Sequence, residues 1–223
     1  MTNETRRDLR MVGTTTSAGG VFRNIKLTGE SRLSGDVDCY KLSNTGDLTI
    51  NGSLRSEELG LTGECEIQGS LQTSKARGRG EIKVSNGLRG ENIKFTGSID
   101  VGGDCEAGSL EVDGAINVAG LLSADRLDLK MYGPCKATEI GGSILRVKRS
   151  KATRIINLLK SSDHAVLYAE QIEGDKVELE HTEAGVVRGN HVKIGPGCEI
   201  GRVEYRDKLE VHKGSTVKEK VQR

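Results

Sequence analysis

The chain has 223 residues, with 33 Lys and Arg against 32 Asp and Glu, and its net charge of +1 gives no general attraction to nucleic acid or to an anionic membrane. It contains 30 Gly but only 2 Pro, no Trp, 4 Tyr and 2 Phe. A core with so little aromatic bulk has to be built from many small aliphatic layers. Frequent Gly without Pro indicates frequent turns.

The N-terminal residues 1–20 are predicted to be a flexible tail. They are polar, rich in Gly and Thr, and contain no apolar segment of the kind that directs secretion. No apolar run in the chain approaches the ~18 residues that a transmembrane helix needs. We therefore expect a cytoplasmic protein.

A repeat of 17 residues begins at Ile25 and continues through six successive lines without an insertion. The echo is clearest between TGDLTINGSL and TGECEIQGSL, where Gly46 and Ile50 return as Gly63 and Ile67. Repetition at a fixed period is the sequence signature of a solenoid. A two-helix repeat is excluded because it needs ~33 residues or more, and because Gly at this density would destabilise helices.

The apolar residues of each line occupy positions 1 and 3, 7 and 9, and 13 and 15, which is the alternation of a half-buried strand. Gly fills position 5 in all six lines and position 11 in all but one, where Asn86 replaces it. Asn is the next best residue at left-handed φ. Each line therefore predicts three short strands joined by two Gly corners and one polar corner, which is one coil of a parallel β-helix.

The five Cys are widely spaced and form no CxxC motif. Three of them, Cys39, Cys65 and Cys105, fall in the inward columns 15, 7 and 13, where we interpret them as small hydrophobic core residues. Neither a disulfide framework nor a metal site is expected, and no cofactor is predicted.

The repeat breaks near Pro134, and residues 146–164 have a different character. This segment, RVKRSKATRIINLLKSSDH, sets aliphatic residues among basic ones and predicts an insertion that forms a short amphipathic helix begun by Ser150 or Thr153. Its positive cluster is a candidate for docking a partner or a membrane surface. The candidate residues are Lys148, Arg149, Lys151 and Arg154.

The repeat resumes after the insertion, since Val192 and Leu209, and Ile200 and Val217, are again 17 residues apart. The sequence thus predicts about ten coils, interrupted once. Regular coils occupy 21–145, the basic insertion 146–164, C-terminal coils 165–218, and a short tail 219–223.

The recurring line TG-[DES]-x-x-[IVL]-x-G-x-[LV], in a chain rich in Gly and poor in Pro and aromatics, resembles the bactofilin family of bacterial polymer-forming cytoskeletal proteins. The resemblance is strong over about residues 25–126 and looser over 172–217. The family core is usually compact and continuous, whereas this chain inserts 146–164 and has short tails.

The bactofilin resemblance implies a right-handed β-helix and nucleotide-independent assembly into filaments through the ends of the rod. It implies a scaffold role in cell shape, motility or envelope growth close to the inner face of the membrane. The expected partners are other copies of the chain, a paralogous bactofilin, and envelope or motility machinery, with peripheral membrane contact and no nucleic acid.

A β-helix has two ends with unpaired N–H and C=O groups, and such edges template further strand pairing unless they are capped. We therefore expect one or both ends to be polymer interfaces. The candidate residues are Phe22, Ile25 and Leu27 at one end and Leu209, Val211 and Val217 at the other. The alternative is that the N-terminal tail folds over one end as a cap.

Two other functions stay open at this point. One is a β-helix enzyme acting on sugars or acyl groups, and the other is a monomeric adaptor that docks through the basic insertion. A 17-residue coil does not divide into the six-residue repeats of acyltransferase β-helices, and few aromatic side chains are present to stack on sugars. The sequence therefore favours a scaffold that is not an enzyme.

Overall fold

The computed structural model describes residues 6–150 and 165–223. Within that part of the chain all regular structure is β, and the strands form one parallel sheet in which they follow each other in chain order. The sheet winds into a β-solenoid of about 12 turns with coils of about 17 residues. The predicted all-β, parallel β-helix is thus confirmed. At about 4.8 Å per coil the rod is about 55 Å long.

The strand ladders continue around most corners, so single strands wind through more than one side of the solenoid. The longest, β2, covers 37 residues and more than two coils. The strands are β1 (Arg7–Val12), β2 (Thr15–Asn51), β3 (Leu54–Ile67), β4 (Leu71–Val84), β5 (Leu88–Val101), β6 (Cys105–Met131), β7 (Cys135–Arg149), β8 (Leu167–Leu179), β9 (Thr182–Ile194), β10 (Glu199–Val211) and β11 (Thr216–Gln222).

Through the middle coils, from Val37 to Val118, the register of the sheet is the 17-residue period of the sequence. Leu54 pairs with Leu71, Leu71 with Leu88, and Leu88 with Cys105. Near the C-terminus Val192 pairs with Leu209, as the sequence predicts. Like positions therefore stack directly above one another, and the inward columns make one continuous aliphatic core.

The core accommodates its few large side chains by pairing them with small ones. Phe95 is fully buried in inward column 3, directly over Gly78 of the preceding coil. A Cβ placed on Gly78 would lie 2.9 Å from the Phe95 ring. Because Gly78 has no side chain, it leaves the space that the Phe95 ring of the next coil fills. The column therefore stays close-packed.

The two Gly columns serve different purposes. At position 5 the backbone has φ of 102° at Gly29 and 113° at Gly46, a left-handed conformation that favours Gly. At position 11 Gly52 has no such φ; a Cβ there would lie 2.7 Å from the backbone nitrogen of Asp36 in the coil below. Within the described residues only Gly35 of column 11 has a left-handed φ, of 100°, so the left-handed φ predicted for Asn86 is wrong.

The N-terminal boundary differs from the sequence prediction. Residues 7–20, expected to lie in a flexible tail, form strands β1 and the start of β2 and make a first coil. Leu9 pairs with Ile25, but the later half-buried positions of this coil hold the hydroxyl residues Thr15 and Ser17. The apolar alternation that predicts the other coils is therefore absent from this part of the first coil.

The remaining boundaries shift for similar reasons. Residues 146–149 belong to β7, because Leu145 and Val147 continue the inward alternation between charged neighbours. The rest of the predicted insertion, residues 151–164 with its helix, lies outside the described residues. At the C-terminus β11 runs through most of the predicted tail 219–223. The coils number about 12 instead of ten, since residues 7–20 add one and some late coils are shorter than 17 residues.

Candidate assembly surfaces

The N-terminal end of the rod is formed by β1, which pairs only with β2 among the described residues. Its other backbone edge has no strand beside it in the part of the chain that the structure describes. The predicted interface residues Phe22, Ile25 and Leu27 lie one coil further in and are at most 2% exposed. They are core residues. The apolar side chains of the end itself are Leu9 and Met11, which were predicted to lie in the tail.

The first coil is fastened to the coils beneath it by polar contacts on its outer face. Asp8 accepts hydrogen bonds from the Arg23 guanidinium at 2.8 and 3.0 Å, and these lower the pKa of Asp8 to about 2. Arg6 reaches past a whole coil to the Asp38 carboxylate at 2.7 Å, and its guanidinium lies 4.5 Å from the centroid of the Tyr40 ring. The coil is therefore held in place while its outer edge stays open.

The C-terminal end is formed by β11 and by the last residues of β10. Strand β11 pairs with β10 alone, and no described strand covers Leu209 or Val211. The structure places these two residues and Val217 where the sequence predicts them, half-buried against the end of the core. Lys220, in register with Val203, sets a charge on the same outer coil.

A buried carboxylate ties the last coils together. The side chain of Glu204 is only 3% exposed, and three arginines surround it: Arg188 of β9 at 2.8 Å, Arg202 of β10 at 2.9 Å and Arg223, which follows β11, at 2.5 Å. The hydrogen bond from Arg188 is the largest cause of a lowered pKa at Glu204, so this side chain is ionised at neutral pH. This cluster was not predicted from the sequence, where its only signal is the broken alternation at Val203 and Glu204.

The basic cluster proposed for docking is only half described. Lys148 lies 3.3 Å from the Glu178 carboxylate, which Lys193 of the next coil also approaches at 3.0 Å. Arg149 donates a hydrogen bond to the Ala165 carbonyl. Lys151 and Arg154 lie outside the described residues. The described half of the cluster is thus engaged with the solenoid itself.

A groove of about 760 Å³ follows one corner of the rod through several coils. Small residues form its floor, where the Ser56 hydroxyl donates to the Thr73 hydroxyl at 3.1 Å. Some charges of its walls are paired, such as Arg89 with Glu106 at 2.6 Å, but the walls carry five carboxylates against three arginines. The groove therefore offers a polar surface with an excess of negative charge.

All five Cys are buried and unpaired, and the core role predicted for Cys39, Cys65 and Cys105 is confirmed. Burial raises the pKa of each of these three thiols to about 12. Such thiols are protonated at neutral pH and are poor nucleophiles and metal ligands. Among the described residues no group of three or more His, Cys, Asp and Glu could hold a metal ion.

Comparison with known proteins finds relatives for part of the chain. The uncharacterized protein YhbF of Bacillus subtilis (strain 168) is 49% identical over 82 residues, which are 37% of this chain and 32% of YhbF. The uncharacterized protein YhbE of the same strain is 46% identical over 86 residues, 38% of this chain and 35% of YhbE. The chain thus matches about one third of the length of these curated relatives. No family model and no solved structure matches it.

A search of residues 6–150 and 165–223 for a helix long and apolar enough to span a membrane finds none.

Proposed function

We propose that this chain is a self-assembling scaffold protein of the bactofilin type, which forms filaments through the ends of its solenoid without a nucleotide. The observation that carries the proposal is the pair of open edges. Within the described residues β1 and β11 each pair with a single neighbour. A strand that presents a row of unpaired N–H and C=O groups is a template for pairing with another chain.

The apolar side chains at the two ends support the same proposal. Leu9 at one end and Leu209, Val211 and Val217 at the other pack against the core but are only partly buried. Stacking a second molecule on either end would remove this apolar surface from water, at about 25 cal/mol per Å². Because coils within the molecule already stack by parallel pairing, the junction repeats a contact that the chain makes many times.

The proposed role in the cell is structural and not enzymatic. We place the filament in the cytoplasm, at the inner face of the membrane, where it would support cell shape, motility or envelope machinery. A paralogue as co-assembling partner fits the finding that two similar proteins, YhbE and YhbF, come from one strain.

Electron microscopy of the purified full chain, without nucleotide, tests the proposal. We expect filaments, or sheets of aligned filaments. A protein that stays monomeric at high concentration in every buffer would contradict the proposal.

A matched pair of variants then tests the end contact. Val217→Arg together with Leu209→Arg places two charges on the C-terminal coil and should reduce the sedimenting polymer several-fold. Leu121→Arg, at a side chain 40% exposed on the flank of β6, is the control and should assemble like the parent. Circular dichroism checks that both variants are folded. Equal assembly by all three proteins would refute a junction at this end.

A further inference from the structure

Charge is unevenly distributed along the rod. The first coil, residues 6–24, carries four Arg against the single carboxylate of Asp8, a net charge of +3. The last coil, residues 208–223, carries five Lys and Arg against two Glu, again +3 with His212 neutral. Since the whole chain has a net charge of +1, the remaining residues together have a net charge of −5. The two ends are therefore basic and the remainder is acidic.

At the N-terminal end, part of this charge is unpaired. Asp8 is engaged by Arg23, and Arg6 by Asp38 of a deeper coil. Arg7 and Arg10 are exposed on β1 and have no carboxylate within 4 Å among the residues that the structure describes. Within the described part of the chain, two cations at the open edge thus have no counter-charge.

The C-terminal end has the same property. Glu210 is engaged by Lys208, and Glu219 faces Arg202. Three exposed lysines on or beside β11, Lys213, Lys218 and Lys220, form no ion pair with any described residue. Both surfaces that would meet in a filament are therefore unneutralised and of the same sign.

We propose that these unpaired cations make end-to-end assembly dependent on ionic strength, so that salt promotes the filament. The inference rests on the proposed function. Whichever ends meet, each junction brings together two coils of net charge +3. Their strands would be about 4.8 Å apart, far inside the Debye length of about 30 Å at 0.01 M salt.

As the salt concentration rises, screening changes the balance between charge repulsion and attraction at the junction. At 0.15 M the Debye length falls to about 8 Å, and the repulsion between exposed charges on the two coils weakens. The same increase in salt does not weaken the apolar contact or the backbone pairing at the junction. An interface held together by opposite charges would respond in the opposite direction and dissolve in salt.

Sedimentation of the full chain in 0.01, 0.05, 0.15 and 0.5 M NaCl tests the inference. The critical concentration for assembly is expected to fall about tenfold between the first and third of these, as the screening length shortens. The double variants Arg7→Gln/Arg10→Gln and Lys218→Gln/Lys220→Gln should each assemble at 0.01 M nearly as the parent does at 0.15 M.

The matched control is Arg77→Gln/Arg79→Gln, which removes the same charge from two exposed arginines of a middle coil that form no ion pair with any described residue. It should keep the salt response of the parent. A critical concentration that rises with salt, or a control that shifts as far as the end variants, would overturn the inference while filaments still form. If no filaments form at any salt concentration, the proposed function fails and this inference falls with it.

Discussion

Asn44 is a polar side chain in an apolar column. It is 3% exposed, pairs in register with Leu61 of the next coil, and occupies the position that Leu27 holds in the coil before. Its side-chain nitrogen donates to the Gly46 carbonyl at 2.8 Å, whereas its Oδ1 has no hydrogen-bond partner in the described part of the chain. A buried acceptor without a partner lowers stability, because water satisfied it in the unfolded chain.

We expect Asn44→Leu to raise the free energy of unfolding by about 1–2 kcal/mol, since it removes the unpaired oxygen and continues the Leu column. Chemical denaturation monitored by circular dichroism measures the change. Asn51→Leu, at an exposed position of β2, is the control and should be close to neutral. Lower stability in Asn44→Leu would mean that the hydrogen bond to Gly46 stabilises the protein by more than the unpaired Oδ1 of Asn44 destabilises it.

At the scale of single elements, the corners decide whether a coil closes. Gly46 combines a φ of +113° with close stacking, since a Cβ there would press on the carbonyl oxygen of Gly29. Gly60 has neither constraint, because its φ is not left-handed and a Cβ added there would have no atom nearer than 3.8 Å. Comparing alanine substitutions at these two glycines therefore separates the conformational requirement of the corner from the general effect of adding a methyl group.

Gly46→Ala is expected to destabilise the protein by about 2 kcal/mol or more, through backbone strain and displacement of the neighbouring coil. Gly60→Ala should be neutral or raise stability by about 0.5 kcal/mol, because it restricts the unfolded chain without strain. Thermal unfolding of both variants gives the comparison. Equal changes in midpoint would show that the Gly column is not a conformational requirement.

The strands were predictable where their inward residues are aliphatic. Leu54, Leu71 and Leu88 stack as the 17-residue period predicts, and so do Val192 and Leu209. The first coil was not predictable because Thr15 and Ser17 interrupt its apolar pattern.

The two ends of the solenoid were predictable to the same degree. The sequence located Leu209, Val211 and Val217 at the C-terminal end, but it placed the N-terminal end one coil too deep, at Phe22. The Glu204 cluster combines residues from neighbouring coils, and the broken alternation at Val203 and Glu204 does not by itself indicate which side chains surround the carboxylate.

At the scale of the whole molecule, the uniform 17-residue register from Val37 to Val118 means that these coils are interchangeable units. Removing residues 59–75 deletes one complete repeat and brings Ala76 into register over Leu42, with Leu88 over Leu54. We expect this 17-residue deletion to fold, since every inward column stays continuous. The rod should shorten by about 4.8 Å, measurable by small-angle X-ray scattering or as a shorter filament repeat.

Deleting residues 59–66 is the control for that experiment. It removes about half a coil, so the inward and outward positions of the following strands no longer match those beneath them. This variant should lose the cooperative unfolding transition. If the two deletions behaved alike, the 17-residue register would not be what holds the rod together.

The five buried thiols are spread along the rod from Cys39 to Cys198, each in a different coil. Each sulfur is shielded while its coil is closed and becomes reactive only when that coil opens to solvent. The rate at which each thiol is alkylated therefore measures how often its own coil opens to solvent. Because the close packing protects every thiol in the closed state, comparing the five rates shows which part of the solenoid opens most readily.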